Sequence, residues 1–140
     1  MQRIRILVVD DHEIVRRCIC EMLAGGSDIE VVCDASDGYE AVRKAGEFQP
    51  DVVLLDISIP ELNGLQATPL IIQAAKNAQI LIVTNHDQSF FVREAFGAGA
   101  RGFLLKSDIP GELEAAIRQV HLKQRFVSRT LKESSPQTWV

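Results

Sequence analysis

Four apolar runs end on polar residues of different kinds: Ile6-Leu7-Val8-Val9 on Asp10 and Asp11, Val52-Val53-Leu54-Leu55 on Asp56, Ile80-Leu81-Ile82-Val83 on Thr84, and Phe103-Leu104-Leu105 on Lys106. If the runs are parallel strands of one sheet, these endings share one edge, where open α/β sheets place their ligands. Three carboxylates in one crevice repel one another, so the set calls for a divalent cation, a raised pKa or a neutralising lysine. Magnesium prefers hard oxygen ligands and is commonly held by one or two carboxylates plus a phosphate. Asp11 and Asp56 suit that description, Asp10 would hold a metal-bound water, and the backbone carbonyl of Ser58 would complete the protein's share. Phosphoryl transfer then needs an in-line nucleophile and donors for the remaining charge. Asp56 is the candidate nucleophile, with Lys106 to neutralise one phosphoryl oxygen and Thr84 to donate to another.

Each residue alone has a plainer reading. Asp10 followed by Glu13 reads equally as a capping box, a lone Asp after a strand is turn chemistry, and a Lys there is a solvated strand end. Turn chemistry does not account for all four endings together.

The elements that must position these residues follow from periodicity. The spacing of Ile14, Val15, Cys18, Ile19, Met22 and Leu23 predicts a first helix, ended by Gly25-Gly26. A second strand spans 29–33 and a second helix 39–48. The near-continuous apolar content of 51–56 fits a strand covered on both faces of a parallel sheet. Pro69 lacks the amide hydrogen a helix interior needs, so the third helix is expected over 69–76 with Thr68 as its cap. A fourth strand follows at 79–83, then a helix capped by Ser89 that buries Phe91, Val92, Ala95 and Phe96. The last unit is a strand at 102–105 and a helix capped by Asp108 or Ser107, with Pro110 near its first turn. Five βα units with one helix per crossover predict a three-layer α/β/α sandwich. The folded domain is expected over 1–122, with 123–140 a linker or tail, partly helical or flexible, and with Ser134 to Thr138 at its loosest.

The 140 residues, 46% of them hydrophobic, suffice for one core. The net charge of −4 excludes a generally basic nucleic-acid-binding protein. Cys18, Cys20 and Cys33 lack zinc spacing and read as reduced packing thiols. No segment approaches a membrane span, and a soluble cytoplasmic protein is expected.

The chain resembles the receiver domains of bacterial two-component response regulators over about residues 3–122. The likeness rests on Val8-Val9-Asp10-Asp11-His12, on Leu54-Leu55-Asp56-Ile57-Ser58-Ile59-Pro60-Glu61-Leu62-Asn63-Gly64, on Ile82-Val83-Thr84, and on Gly99-Ala100-Arg101-Gly102-Phe103-Leu104-Leu105-Lys106. It implies a flavodoxin-like fold of strand order 2-1-3-4-5. It further implies phosphorylation of Asp56 by a sensor histidine kinase or phosphotransfer protein, Mg2+ (or Mn2+) at Asp10, Asp11 and Asp56, and phosphoryl contacts from Thr84 and Lys106. In the family an aromatic at the Phe103 position turns inward as the Thr84 position moves. Phe103 has no hydroxyl to leave in water, so an inward rotamer is expected even without phosphate.

Some positions depart from the commonest pattern. Ser107 stands where many members have proline, so a cis Lys106-Ser107 bond loses its usual support. Asn85 follows Thr84 where a small residue is usual, and with Ser58 and His86 it bears on the dephosphorylation rate; His86 either stands at the surface, the favoured reading, or leans over the site. Arg118, Lys123, Arg125, Arg129 and Lys132 form a span with no acidic residue. Ala115-Ala116-Ile117-Arg118-Gln119-Val120 followed by Arg125-Phe126-Val127-Ser128 is similar to the start of the linker in NarL/FixJ-type regulators, which continue into a helix-turn-helix domain. DNA contact is therefore expected only through such an output domain. By the same analogy a homodimer forms through the fourth helix, fifth strand and fifth helix, or through the first and fifth helices.

Three other classes compete. An aspartyl-nucleophile phosphohydrolase would need a second Asp where Ser58 stands. A flavin module would need a hydroxyl-rich loop where Asp10-Asp11-His12-Glu13 stands. A phosphorylation-independent interaction domain would have no use for the full acidic set. The expectation is a signalling domain without external turnover.

Overall fold

The computed structural model describes residues 2–25 and 28–134. Six parallel strands form one sheet of order β2-β1-β3-β4-β5-β6: β1 Ile4–Val9, β2 Ile29–Ala35, β3 Val52–Leu55, β4 Gln79–Thr84, β5 Gly102–Leu105 and β6 Phe126–Val127. The helices are α1 Glu13–Ala24, α2 Gly38–Phe48, α3 Gly64–Ala74, α4 Ser89–Ala98, α5 Ile109–His121 and α6 Arg129–Ser134.

Strand alternation divides the core in two. Ile6, Val8, Val52, Leu54, Leu81, Val83 and Leu104 face α1 and α5, which supply Ile19, Leu23, Leu113, Ile117 and Val120. Leu7, Val9, Val53, Leu55, Ile80, Ile82 and Phe103 face the other layer, met by Ala41 and Ala45 of α2, Ile71 of α3 and Val92 of α4. A sheet buried on both faces explains why these strands are apolar throughout, and the flavodoxin-like architecture is as expected.

The sheet extends one strand beyond the expected order. Residues 126–127 pair with β5, Gly102 opposite Phe126 and Phe103 opposite Val127, and Leu131 of α6 is buried in the same cluster as Phe103. The hydroxyl of Ser128, fully buried, accepts from the Leu105 amide at 3.2 Å and donates to the Asp108 carboxylate. Thr130 also donates to Asp108, through its amide at 3.1 Å and its hydroxyl at 2.8 Å. Two residues are too short a run for periodicity to reveal a strand. Burial acts to raise the Asp108 pKa, but these hydrogen bonds outweigh it and lower it. The stabilisation is therefore present above the ordinary carboxylate value of 3.8 and lost as pH falls through the lower folded value. The expected flexible end at Ser134 to Thr138 lies, from 135 onward, outside the described residues.

Helix starts differ from expectation for local reasons. α3 begins five residues before Pro69, because Asn63 and Gln66 form a reciprocal capping box and Ala67, Thr68 and Ile71 are buried. Pro69 sits inside the helix on an exposed face, with Thr68 donating its hydroxyl to the Gly64 carbonyl at 2.7 Å. Ser89 is the first residue of α4, not its cap; Gln88 holds that position without a side-chain bond. Asp108 holds the cap position of α5, but its side chain turns to β6 and α6 instead of capping. No cis peptide occurs among the described residues, so Lys106-Ser107 is trans.

Replacing exposed Pro69 with Ala restores a donor for the Leu65 carbonyl at little packing cost. Pro69→Ala should stabilise the fold by about 1–2 kcal/mol, the helix-interior penalty less the entropy proline removes from the unfolded chain. Urea denaturation checks this, and a destabilised variant would contradict it.

Candidate functional site

Register brings the acidic residues together. Val9 pairs with Leu55, so Asp10 and Asp56 emerge one residue later, side by side, with the Asp56 amide donating to the Val9 carbonyl at 3.1 Å. Thr84 pairs with Leu105, which places Lys106 at the same edge. Asp10, Asp56 and Thr84 are 2%, 3% and 0% exposed, whereas Asp11 stands at the rim.

Lys106 is the hub. Its Nζ lies 2.8 Å from Oδ2 of Asp10 and 2.8 Å from Oδ2 of Asp56. Burial works to lower the lysine pKa, but its hydrogen bonds to Asp10 and Asp56 and their charges outweigh that and raise it. The resulting stabilisation is complete below the ordinary lysine value of 10.5 and is lost as pH rises through the folded value. Asp10, Asp11, His12 and Asp56 each offer a ligand atom within 4.8 Å of the others. Three carboxylates against one ammonium leave an excess of two negative charges, so the donor set fits a divalent cation.

The acidic loop is held from behind. The Asp10 Oδ1 accepts from the His12 amide at 2.8 Å, and His12, not Asp10, precedes α1, so Asp10 and Glu13 form no capping box. Arg16 donates to the Asp10 carbonyl at 2.6 Å and pairs with Asp34 at 3.0 Å, fixing the loop to the end of β2. On the other side the Ser58 amide donates to Asp56 Oδ1 at 3.3 Å. The turn after β3 folds back so closely that a Cβ at Gly64 would lie 2.3 Å from the Asp56 carbonyl, and only glycine fits there.

His86 does not stand apart at the surface. Its Nε2 is 2.6 Å from Ser58 Oγ, its ring packs on Phe91 with centroids 4.4 Å apart, and its amide donates to Thr84 Oγ1 at 3.4 Å. The aromatic contact draws it over the crevice. Asn85 is exposed and lines an apolar groove with His12, Ile14, Met22, Lys106 and Pro110. Phe103 is fully buried, in the inward position expected of a ring without a hydroxyl. Sequence patterns alone do not single out His12, as a donor beside the carboxylates, or Ser128, as a partner of the loop after Lys106. Only their positions next to Asp11 and after an apolar pair hinted at them.

Removing Lys106 leaves two buried carboxylates without a counter-charge. Lys106→Met should destabilise the fold by about 3–5 kcal/mol at neutral pH. Urea denaturation checks this, and an unchanged or raised stability would contradict it.

Residues 6–118 match the response regulator receiver domain family. The chain is 39% identical to the response regulator GacA of Pseudomonas viridiflava over 125 residues, 89% of this chain and 58% of that protein. It is 37% identical to UvrY of Escherichia coli over 130 residues, 93% of this chain and 60% of that protein. It thus spans under two thirds of the length of these curated relatives. A crystal structure of a LuxR-family two-component response regulator from Aurantimonas sp. SI85-9A1 superposes with a TM-score of 0.90 at 37% identity, covering 97% of both chains. The match across most of the chain, on a sheet whose strand ends carry this acidic site, makes the chain a member of the response regulator receiver domain family.

Proposed function

We propose that Asp56 accepts a phosphoryl group from the phosphohistidine of a sensor histidine kinase or phosphotransfer protein. An Asp56 carboxylate oxygen attacks phosphorus, the P–N bond breaks, an acyl phosphate forms, and the departing imidazole nitrogen takes up a proton. The observation that carries this reading is the buried Asp56 carboxylate, held 2.8 Å from Lys106 beside Asp10 and Asp11. Asp10, Asp11, Asp56 and the backbone carbonyl of Ser58 would hold Mg2+ or Mn2+. When bound, the ion would neutralise charge developing on the transferred group. Lys106 then turns from carboxylate to phosphoryl oxygen, and Thr84 donates to another.

An acyl phosphate adds charge where two excess negatives already sit, so the loops must rearrange. Lys106 begins the 3-10 turn Lys106–Asp108, whose far end is bonded to Ser128 and Thr130. With Phe103 paired to Val127 and in one buried cluster with Leu131, this would connect the site to the α4-β5-α5 face. A change of partner or of dimerisation, through that face or through α1 and α5, is the proposed output. Control of transcription would run through a separate DNA-binding domain, as the name of DegU of Brevibacillus brevis, a transcriptional regulatory protein, suggests by analogy. No helix among the described residues is long and apolar enough to cross a membrane. We place the protein in the cytoplasm, where its kinase partner's donor domain would lie, and expect no turnover of external phosphoesters.

Incubation with Mg2+ and a small acyl phosphate donor should add one phosphate, read by intact mass. Equal labelling of Asp56→Asn would refute the assignment. The Ser58–His86 contact joins the loops after β3 and β4 at 2.6 Å, and in this proposal it restricts the approach of water to the acyl phosphate. His86→Ala should therefore shorten the acyl phosphate lifetime roughly two- to tenfold, the kinetic equivalent of one hydrogen bond; a lengthened lifetime would contradict this.

A further inference from the structure

We infer that His12 supplies an imidazole nitrogen to the cation at the Asp10–Asp11–Asp56 cluster and biases the site toward nitrogen-accepting transition ions over Mg2+. This rests on the metal reading above and extends it to the kind of ion. His12 Nδ1 lies 3.2 Å from Asp10 Oδ1 and 3.1 Å from Asp11 Oδ1, and belongs with Asp56 to a donor group within 4.8 Å. The ring is brought there by the backbone: the His12 amide donates to the same Asp10 Oδ1 at 2.8 Å, and its extended dihedrals precede the first turn of α1.

The two edges of the buried carboxylates have different neighbours. Lys106 takes Oδ2 of both Asp10 and Asp56, on the side assigned to the phosphoryl group. Asp10 Oδ1 points instead toward the amide and ring of His12. Oxygen donors alone suit Mg2+, whereas imidazole adds affinity along the first-row series from Mn2+ toward Co2+ and Ni2+. His86, the other imidazole near the crevice, is committed to Ser58 at 2.6 Å. His12 is mostly exposed and makes no side-chain cap bond, and among the described residues its ring has polar contacts only with the Asp10 and Asp11 carboxylates, so its variants should keep the fold, which far-UV circular dichroism checks.

The test titrates the full chain with Co2+ by visible absorption, displaces it with Mg2+, and records nitrogen couplings to bound Mn2+ by electron spin echo. His12→Ala and His12→Asn should each weaken Co2+ binding by about tenfold or more. Mg2+ affinity should stay within about twofold. The nitrogen coupling should vanish in both variants and persist in His86→Ala. Equal losses for Co2+ and Mg2+, no loss for either, or a coupling that survives in His12→Ala would overturn the inference while leaving the metal site in place. If the wild-type chain binds none of the three ions, the metal reading itself fails and this inference with it.

Discussion

One ammonium serving two buried carboxylates is the constraint around which the rest is arranged. Lys106 reaches Asp10 and Asp56 at equal distances, and among the described residues neither acid pairs with another Lys or Arg. Desolvating two carboxylates is costly, and a single shared lysine offsets only part of that cost. The fold tolerates the arrangement because the strands place all three residues at one edge through register alone, with extensive apolar burial behind them. A cation would satisfy the residual negative charge, and the phosphoryl group of the proposed reaction would upset it.

The surroundings hold this charge in place while leaving its front open to change. Behind it, Arg16 fastens the Asp10 carbonyl to Asp34, and the absent side chain of Gly64 lets the turn after β3 close on the Asp56 carbonyl. In front, Ser58 and His86 meet across the crevice, and the 3-10 turn after Lys106 is tied to Ser128 and Thr130. Arg125 stacks over Phe96 of α4 at 4.2 Å, so the segment after α5 also touches the neighbouring helix. A displacement of Lys106 would thus reach β6 and α6 through covalent neighbours and a few hydrogen bonds, with no long pathway needed.

What the sequence discloses follows the physics of each signal. Asp10, Asp56, Thr84 and Lys106 were readable because each terminates a strongly apolar strand, and a parallel sheet gives every such ending the same address. Pro69 misled because a single-residue rule against proline in helices ignores what the Asn63–Gln66 box and the buried face of α3 add on the other side. Which of its two expected positions His86 takes is not legible in the sequence, because that depends on Phe91, a contact between a loop and the helix after it. β6 was unreadable as a strand: two residues carry no period, and their pairing depends on an exposed β5 edge that exists only once the sheet has formed. His12 was overshadowed by the two aspartates before it, because its approach to them depends on loop dihedrals.

If excess negative charge at the Lys106 hub strains the fold, a divalent cation should relieve that strain. Urea unfolding of the wild type and of Asp56→Asn, each across a series of Mg2+ concentrations, tests it most directly. Asp56→Asn should be the more stable protein without the ion, and the wild type should gain on it as Mg2+ rises, as the logarithm of one plus the ratio of Mg2+ concentration to its dissociation constant. A wild type that is the more stable form in the absence of Mg2+, or a gap that Mg2+ leaves unchanged, would contradict it.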